Sequence, residues 1–327
     1  MEDIADRTAR VRPDSAKILV TRMEAGLVGH AALVERLMIA LLTGGHVLIE
    51  GAPGIGKTRS VRRLADGVEG SFARIQCTPD LMPSDMTGTQ VYRQESGKMD
   101  FLPGPVFHNL VLVDEINRAP PKVQSALLEA MGEGQVTAGG QTRPLPDPFM
   151  VIATQNPLEQ EGTFPLPEAQ LDRFLMHVVL DLPDETAEMD ILDLVETELR
   201  SHAGGEAPTL DHATLAAMQE DVLQVHLSPA LKQYMVALVM ATRRATEAID
   251  VTDRIRHAVS PRGTLALASS ARARAWLHGR DFAVPEDIAA LASDVLCHRM
   301  APTWRAQAEG HTSRTIVAEI LSAVPPL

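Results

Sequence analysis

The sequence predicts an α/β fold: a five-stranded parallel sheet organised around a phosphate-binding loop, followed by an all-helical lid region. Three observations carry this. Residues Gly51–Thr58 read Gly-Ala-Pro-Gly-Ile-Gly-Lys-Thr, between a strand-like apolar run and a helical pattern. Apolar runs alternate with helical patterns through the first half. From Asp184 onward the strand pattern stops.

The strand-like runs are His46–Glu50, Phe72–Gln76, Leu110–Asp114, Phe149–Thr154 and Met176–Leu182. Helical patterns at Ala31–Leu42, Arg59–Val68 and Pro121–Gly132 separate several of them. Such alternation builds a parallel sheet covered on both faces. Near-continuous apolar strands such as Leu110–Val113 agree, because central parallel strands are buried on both sides. Gln90–Phe101 and Gln135–Leu145 read as β-hairpins, with Ser96-Gly97 and Gly139-Gly140 at their tips. The later helices are Asp184–Arg200, Asp211–Gln224, Pro229–Ala248, Pro261–Leu277, Pro285–His298 and Thr312–Val324. Three of them open with proline at the first helical position, where a missing N–H costs nothing.

The loop carries the first chemistry. Gly51, Gly54 and Gly56, with Ala52, Pro53 and Ile55 between them, let backbone N–H groups face phosphate oxygens. The following helix adds its positive end. Lys57 reaches the β- and γ-phosphates of a nucleoside triphosphate, and Thr58 is placed to ligate Mg²⁺. Leu110–Val113 then delivers Asp114 to the carboxyl edge of the sheet, where it can hold the same Mg²⁺. Glu115 is the candidate general base for water attacking the γ-phosphate. Val151–Pro157 ends a buried strand in a polar cluster, where Asn156 is the candidate for orienting that water. Arg173 precedes the fifth strand. Arg262 opens a helix at Ser260-Pro261-Arg262, where a cation opposes the helix dipole and hints at an anionic partner.

Composition narrows the classes. The chain has 327 residues and a formal net charge of −13. An acidic surface argues against nucleic acid as a partner. Arg243-Arg244 and Arg272–Arg274 are the notable basic clusters, and both fall in helical patterns. Two cysteines, Cys77 and Cys297, stand far apart and fit a reducing cytoplasm rather than a disulfide framework. The acidic N-terminus argues against a signal peptide, and no run of about 18 apolar residues predicts a membrane span.

Taken together, Gly51–Thr58, Asp114–Lys122, Ala153–Pro157, Leu166–Phe174 and Ser260–Arg262 resemble an AAA+ ATPase of the MoxR family, within the clade that holds magnesium chelatase motor subunits. The resemblance runs from about Gly26 to about Leu296 (boundaries good to a few residues). It implies a nucleotide-binding domain over 1–184 and a helical lid over 185–327. It implies ATP and Mg²⁺ as cofactors, Asn156 as sensor 1 and Arg262 as sensor 2 of the same subunit, and Arg173 as a finger for the neighbour's ATP. Val28 and Gly29 fall in the adenine-contacting segment, with His30 where the family more often has glutamine. Gln90–Phe101 becomes the helix-2 insert and Gln135–Leu145 the pre-sensor-1 hairpin. The implied assembly is a homo-oligomeric ring, a hexamer. Its implied work is chaperone-like remodelling of a partner that carries a von Willebrand factor A domain. Two other classes compete: an ATP-gated binding switch with negligible turnover, and a DNA-associated motor.

Overall fold

The computed structural model describes residues 14–27, 29–95, 97–157, 162–200 and 210–326. It opens with α1 (Asp14–Glu24), a helix the sequence pattern does not announce, and α2 (Ala31–Thr43). Gly44 ends α2 at φ 62, in the left-handed region that glycine enters without a Cβ clash. β1 (Val47–Gly51) runs through the phosphate loop into α3 (Lys57–Gly67). β2 (Phe72–Gln76), the short α4 (Pro83–Thr87) and the hairpin of β3 (Gly88–Arg93) and β4 (Lys98–Pro103) follow. Then come β5 (Leu110–Asp114), α5 (Pro121–Glu133) and a second hairpin, β6 (Gln135–Ala138) and β7 (Gln141–Pro144). β8 (Met150–Gln155), the single turn α6 (Glu168–Leu171) and β9 (Met176–Leu180) complete the first half.

The central sheet has five parallel strands in the order β2-β5-β8-β1-β9. Each lies within two residues of its expected bounds. Strand side chains alternate between faces. Val47, Ile49, Leu112 and Ile152 join one apolar cluster, while Leu48, Val111, Val113 and Val151 join the other. Both faces are therefore dry, which is why these strands read as unbroken apolar runs. The two hairpins touch each other. Gln90 donates to the Gly139 carbonyl at 3.1 Å, and the Arg143 guanidinium lies 3.9 Å from the centre of the Phe101 ring.

The second half holds α7 (Glu185–Arg200), α8 (His212–Gln224), α9 (Pro229–Ala241), α10 (Pro261–Leu277), α11 (Pro285–Leu296), α12 (Trp304–Ala308) and α13 (Ser313–Ala323). Side chains of Asp211, Ser228, Ser260 and Thr312 accept from first-turn amides and start four of them. α9 stops well short of the expected Ala248. Thr242 turns its hydroxyl onto the Val239 carbonyl at 2.7 Å and accepts from the Val259 amide, so the chain leaves the helix there. A small ribbon of β10 (Ile255–His257) and β11 (Ala301–Pro302) also interrupts the helical region, contrary to the all-helical expectation. The apolar cluster on the first sheet face continues without a break from Leu37 to Leu238, Leu291 and Ile316. The helical half is thus packed onto the sheet rather than hung from it. Among the described residues no helix is long and apolar enough to cross a membrane.

One buried charge anchors this half. Asp287 is fully buried, with Arg274 at 2.7 Å, Arg280 at 2.6 Å and the Val284 amide at 2.9 Å. Removing one partner of a buried pair leaves the other charge uncompensated. Asp287→Ala should therefore lower unfolding free energy by about 3–5 kcal/mol, read from urea denaturation. A loss below about 1 kcal/mol would mean the pair behaves like a surface one.

Candidate nucleotide site

The phosphate loop owes its shape to two glycines. Gly54 and Gly56 sit at φ 86 and φ 85, where a side chain would strain the backbone. Gly51 leaves no room for a Cβ, which would meet the Ile55 side chain and the Leu180 carbonyl. Lys57 Nζ lies at the loop mouth, donating to Gly51 O, to Ala52 O at 3.2 Å and to Gln155 O at 3.4 Å. The Thr58 hydroxyl donates to Asp114 Oδ2 at 3.3 Å. Asp114 is held from two more sides. Arg74 reaches Oδ2 at 2.7 Å, and Thr154 donates to Oδ1. A hydroxyl and a carboxylate this close, with a lysine beside them, form a hard oxygen pair suited to Mg²⁺ next to phosphate. The residues fit the ion and nucleotide that the sequence implies.

Glu115 is the one non-glycine residue among those described with positive φ, at 57°. Such a backbone costs of order 1–2 kcal/mol and persists only where surroundings fix it. Here the Glu115 amide donates to Thr154 Oγ1 at 3.0 Å. Its carboxylate accepts from Gln76 at 3.0 Å and faces Arg118 at 3.2 Å. Asn156 is 4% exposed, and its carbonyl accepts from Asn117 at 3.4 Å. Lys57, Thr58, Asp114, Glu115 and Asn156 thus meet at the carboxyl edge of β1, β5 and β8. Sequence reasoning missed Arg74, Gln76 and Thr154. For Thr154 the signal was present: β8 is an apolar strand whose last residues turn polar at that same edge.

Beside the loop lies a cleft of about 410 Å³ lined by Leu27, His30, Arg59, Ile191, Leu194 and others. Gly29, at φ 77, lies against Ala187 of α7. Val28, expected at the base contact, is outside the described residues. The lining holds none of the described residues after α7.

The two remaining arginines lie elsewhere. Arg173 donates to the Leu128 carbonyl in the last turns of α5, over Gly132, whose missing side chain makes the space. Arg262 lies 3.6 Å from Asp172. Both arginines, with Arg272 and Arg299, line a second cleft of about 580 Å³ that shares no residue with the first. The sequence expectation joins Arg262 to the phosphates of its own subunit. In the structure Arg262 lines the same cleft as Arg173, because Ser260 and Arg262 pin the start of α10 to Asp172.

Known proteins align with this geometry. Residues 46–176 match the ATPase family associated with various cellular activities, AAA, and residues 247–320 match the AAA lid domain. Chaperone MoxR1 of Mycobacterium tuberculosis is 42% identical over 91% of this chain and 78% of its own length. The chain belongs to the MoxR family of AAA+ ATPases. A second relative, YeaC of Bacillus subtilis, is 46% identical over 91% of this chain and 90% of its own. A crystal structure from Cytophaga hutchinsonii, described as that of a candidate ATPase, superposes with a TM-score of 0.89 at 40% identity, covering 99% of this chain and 98% of that one. The phosphate loop, Asp114, Glu115, Asn156 and Arg173 fall within the AAA match and Arg262 within the lid match.

Lys57→Ala should weaken ATP binding at least about tenfold in a calorimetric titration, since a charge-assisted hydrogen bond contributes roughly 1.5–3 kcal/mol. Unchanged affinity would remove the loop from the phosphate site.

Proposed function

We propose that this MoxR-family protein hydrolyses ATP with Mg²⁺ at sites shared between copies of the chain in a ring, and that the cycle remodels a partner protein. The observation that carries the reading is the separation of Arg173 and Arg262 from the phosphate loop: they line a cleft that shares no residue with the one beside the loop. The first cleft is lined by Pro53 to Gly56 of the loop, and Thr58, just past it, donates to Asp114. The other has Arg173 and Arg262. A second copy brings the two sets together. Exposed apolar side chains flank both: Leu182 in the cleft beside the loop, Leu265 beside the arginines. Apolar residues at the rim of a cleft are what a contact between subunits covers.

The residues divide the work. Lys57 exchanges the carbonyls of Gly51 and Ala52 for phosphate oxygens. Mg²⁺, held by Thr58 and Asp114, would neutralise charge on the β- and γ-phosphates. Glu115 takes a proton from the attacking water, and its left-handed backbone and the Gln76 and Arg118 contacts aim the carboxylate. Asn156 orients that water. Arg173 and Arg262 of the next subunit stabilise charge spreading onto the phosphoryl oxygens. The working division is a nucleotide-binding domain over 1–184 and a lid over 185–327. The ring is taken as a hexamer and the client as a von Willebrand factor A domain protein, both on family resemblance.

Glu115→Gln should bind ATP normally and lose at least about 10²-fold in kcat, since the amide cannot accept the proton. Arg173→Ala should also bind ATP and turn over poorly, by about 10³-fold or more. Mixed together, the two inactive variants should regain phosphate release, because some interfaces then pair an intact Glu115 with an intact Arg173. No recovery among subunits that exchange would rule out the shared site.

A further inference from the structure

The segment that carries Arg173 is gripped by the helical half on both sides of the arginine. Arg256 of β10 donates to Glu168 at 2.5 Å. The Ser260 hydroxyl donates to Asp172 Oδ2 at 2.9 Å, and Arg262 faces the same oxygen at 3.6 Å. Arg299 Nε lies 3.1 Å from Asp172 Oδ1. Arg299 also donates to the Phe174 carbonyl at 2.6 Å and the Leu175 carbonyl at 3.1 Å.

Arg299 is only 4% exposed. Burial pushes its pKa down to about 10, and the neighbouring Asp172 carboxylate opposes the fall, so the guanidinium stays charged at neutral pH. A buried charge holds its counter-ion, because losing it is costly. Asp172 is therefore fixed from below by Arg299. Its other oxygen ties down the start of α10, where Arg262 stands. Its backbone is continuous with Arg173.

We propose that Asp172 is a positioning residue for hydrolysis at the neighbouring subunit, fixing Arg173 and Arg262 in one relation so that both reach the same phosphates. Asp172 touches no nucleotide; it acts through the arginines. This rests on the shared-site reading above. Asp172 would set the spacing of two cations drawn from distant parts of the chain, and a misplacement of about an ångström can cost about 10² in rate.

Asp172→Asn tests this. The amide keeps an acceptor for Ser260 but loses its charge toward Arg262 and Arg299. ATP affinity should stay unchanged and kcat should fall about 10²-fold. Subunit mixing supplies a readout that a merely structural role would not move. Asp172→Asn mixed with Glu115→Gln should regain activity above the sum of the two alone, while Asp172→Asn mixed with Arg173→Ala should not. The control is Arg173→Ala with Glu115→Gln. Failure of the control, among exchanging subunits, refutes the shared site itself. With a working control, three outcomes overturn the proposal: full activity of Asp172→Asn, recovery with Arg173→Ala, or no recovery with either partner.

Discussion

The parallel register of β5, β8 and β1 is the constraint on which the site depends. Leu112 and Val47 both pair with Ile152, so the three strands end together. That common edge lets the Thr154 hydroxyl reach Asp114 while accepting from the Glu115 amide. It also brings the Gln155 carbonyl to Lys57. A slip of one residue would send each side chain to the opposite face. The dry packing on both faces forbids that slip, because it would bury polar residues and redistribute every apolar one. The chemistry at the edge is therefore fixed by the core beneath it.

The second organising feature is the attachment of the helical half. It packs on the sheet through a continuous apolar cluster, and of its described helices only α7 lines the cleft beside the phosphate loop. One group of its polar contacts meets Glu168, Asp172 and the Phe174 and Leu175 carbonyls, and others reach Glu35, Arg36, Leu41 and Glu69. A movement of this half would thus be felt at the segment that carries Arg173. In the assembly we propose, Arg173 and Arg262 are the groups one copy presents to another.

Much of this was legible in the sequence, for physical reasons. Buried parallel strands are apolar throughout and end abruptly in polar residues, so Leu110–Glu115 and the segment ending at Asn156 announce themselves. Both hairpins were visible through their glycine turns. Gln76 and Arg74 were not, because their partners Glu115 and Asp114 are set by strand register rather than by neighbours in the chain. The grouping of Arg262 with Arg173 depends on where α10 docks, which no local pattern encodes. The end of α9 was misplaced because Thr242 finds its partner at Val259, 17 residues further along the chain.

The central claim is that the γ-phosphate joins two copies of the chain. Sedimentation velocity of the Glu115→Gln variant, which should hold ATP without turning it over, addresses it directly. A larger species should form with Mg-ATP than with Mg-ADP, because only the triphosphate offers charge to the arginines of the next copy. By linkage, apparent ATP affinity should then rise with protein concentration. A single monomeric species under both nucleotides, at every concentration reached, would contradict the account.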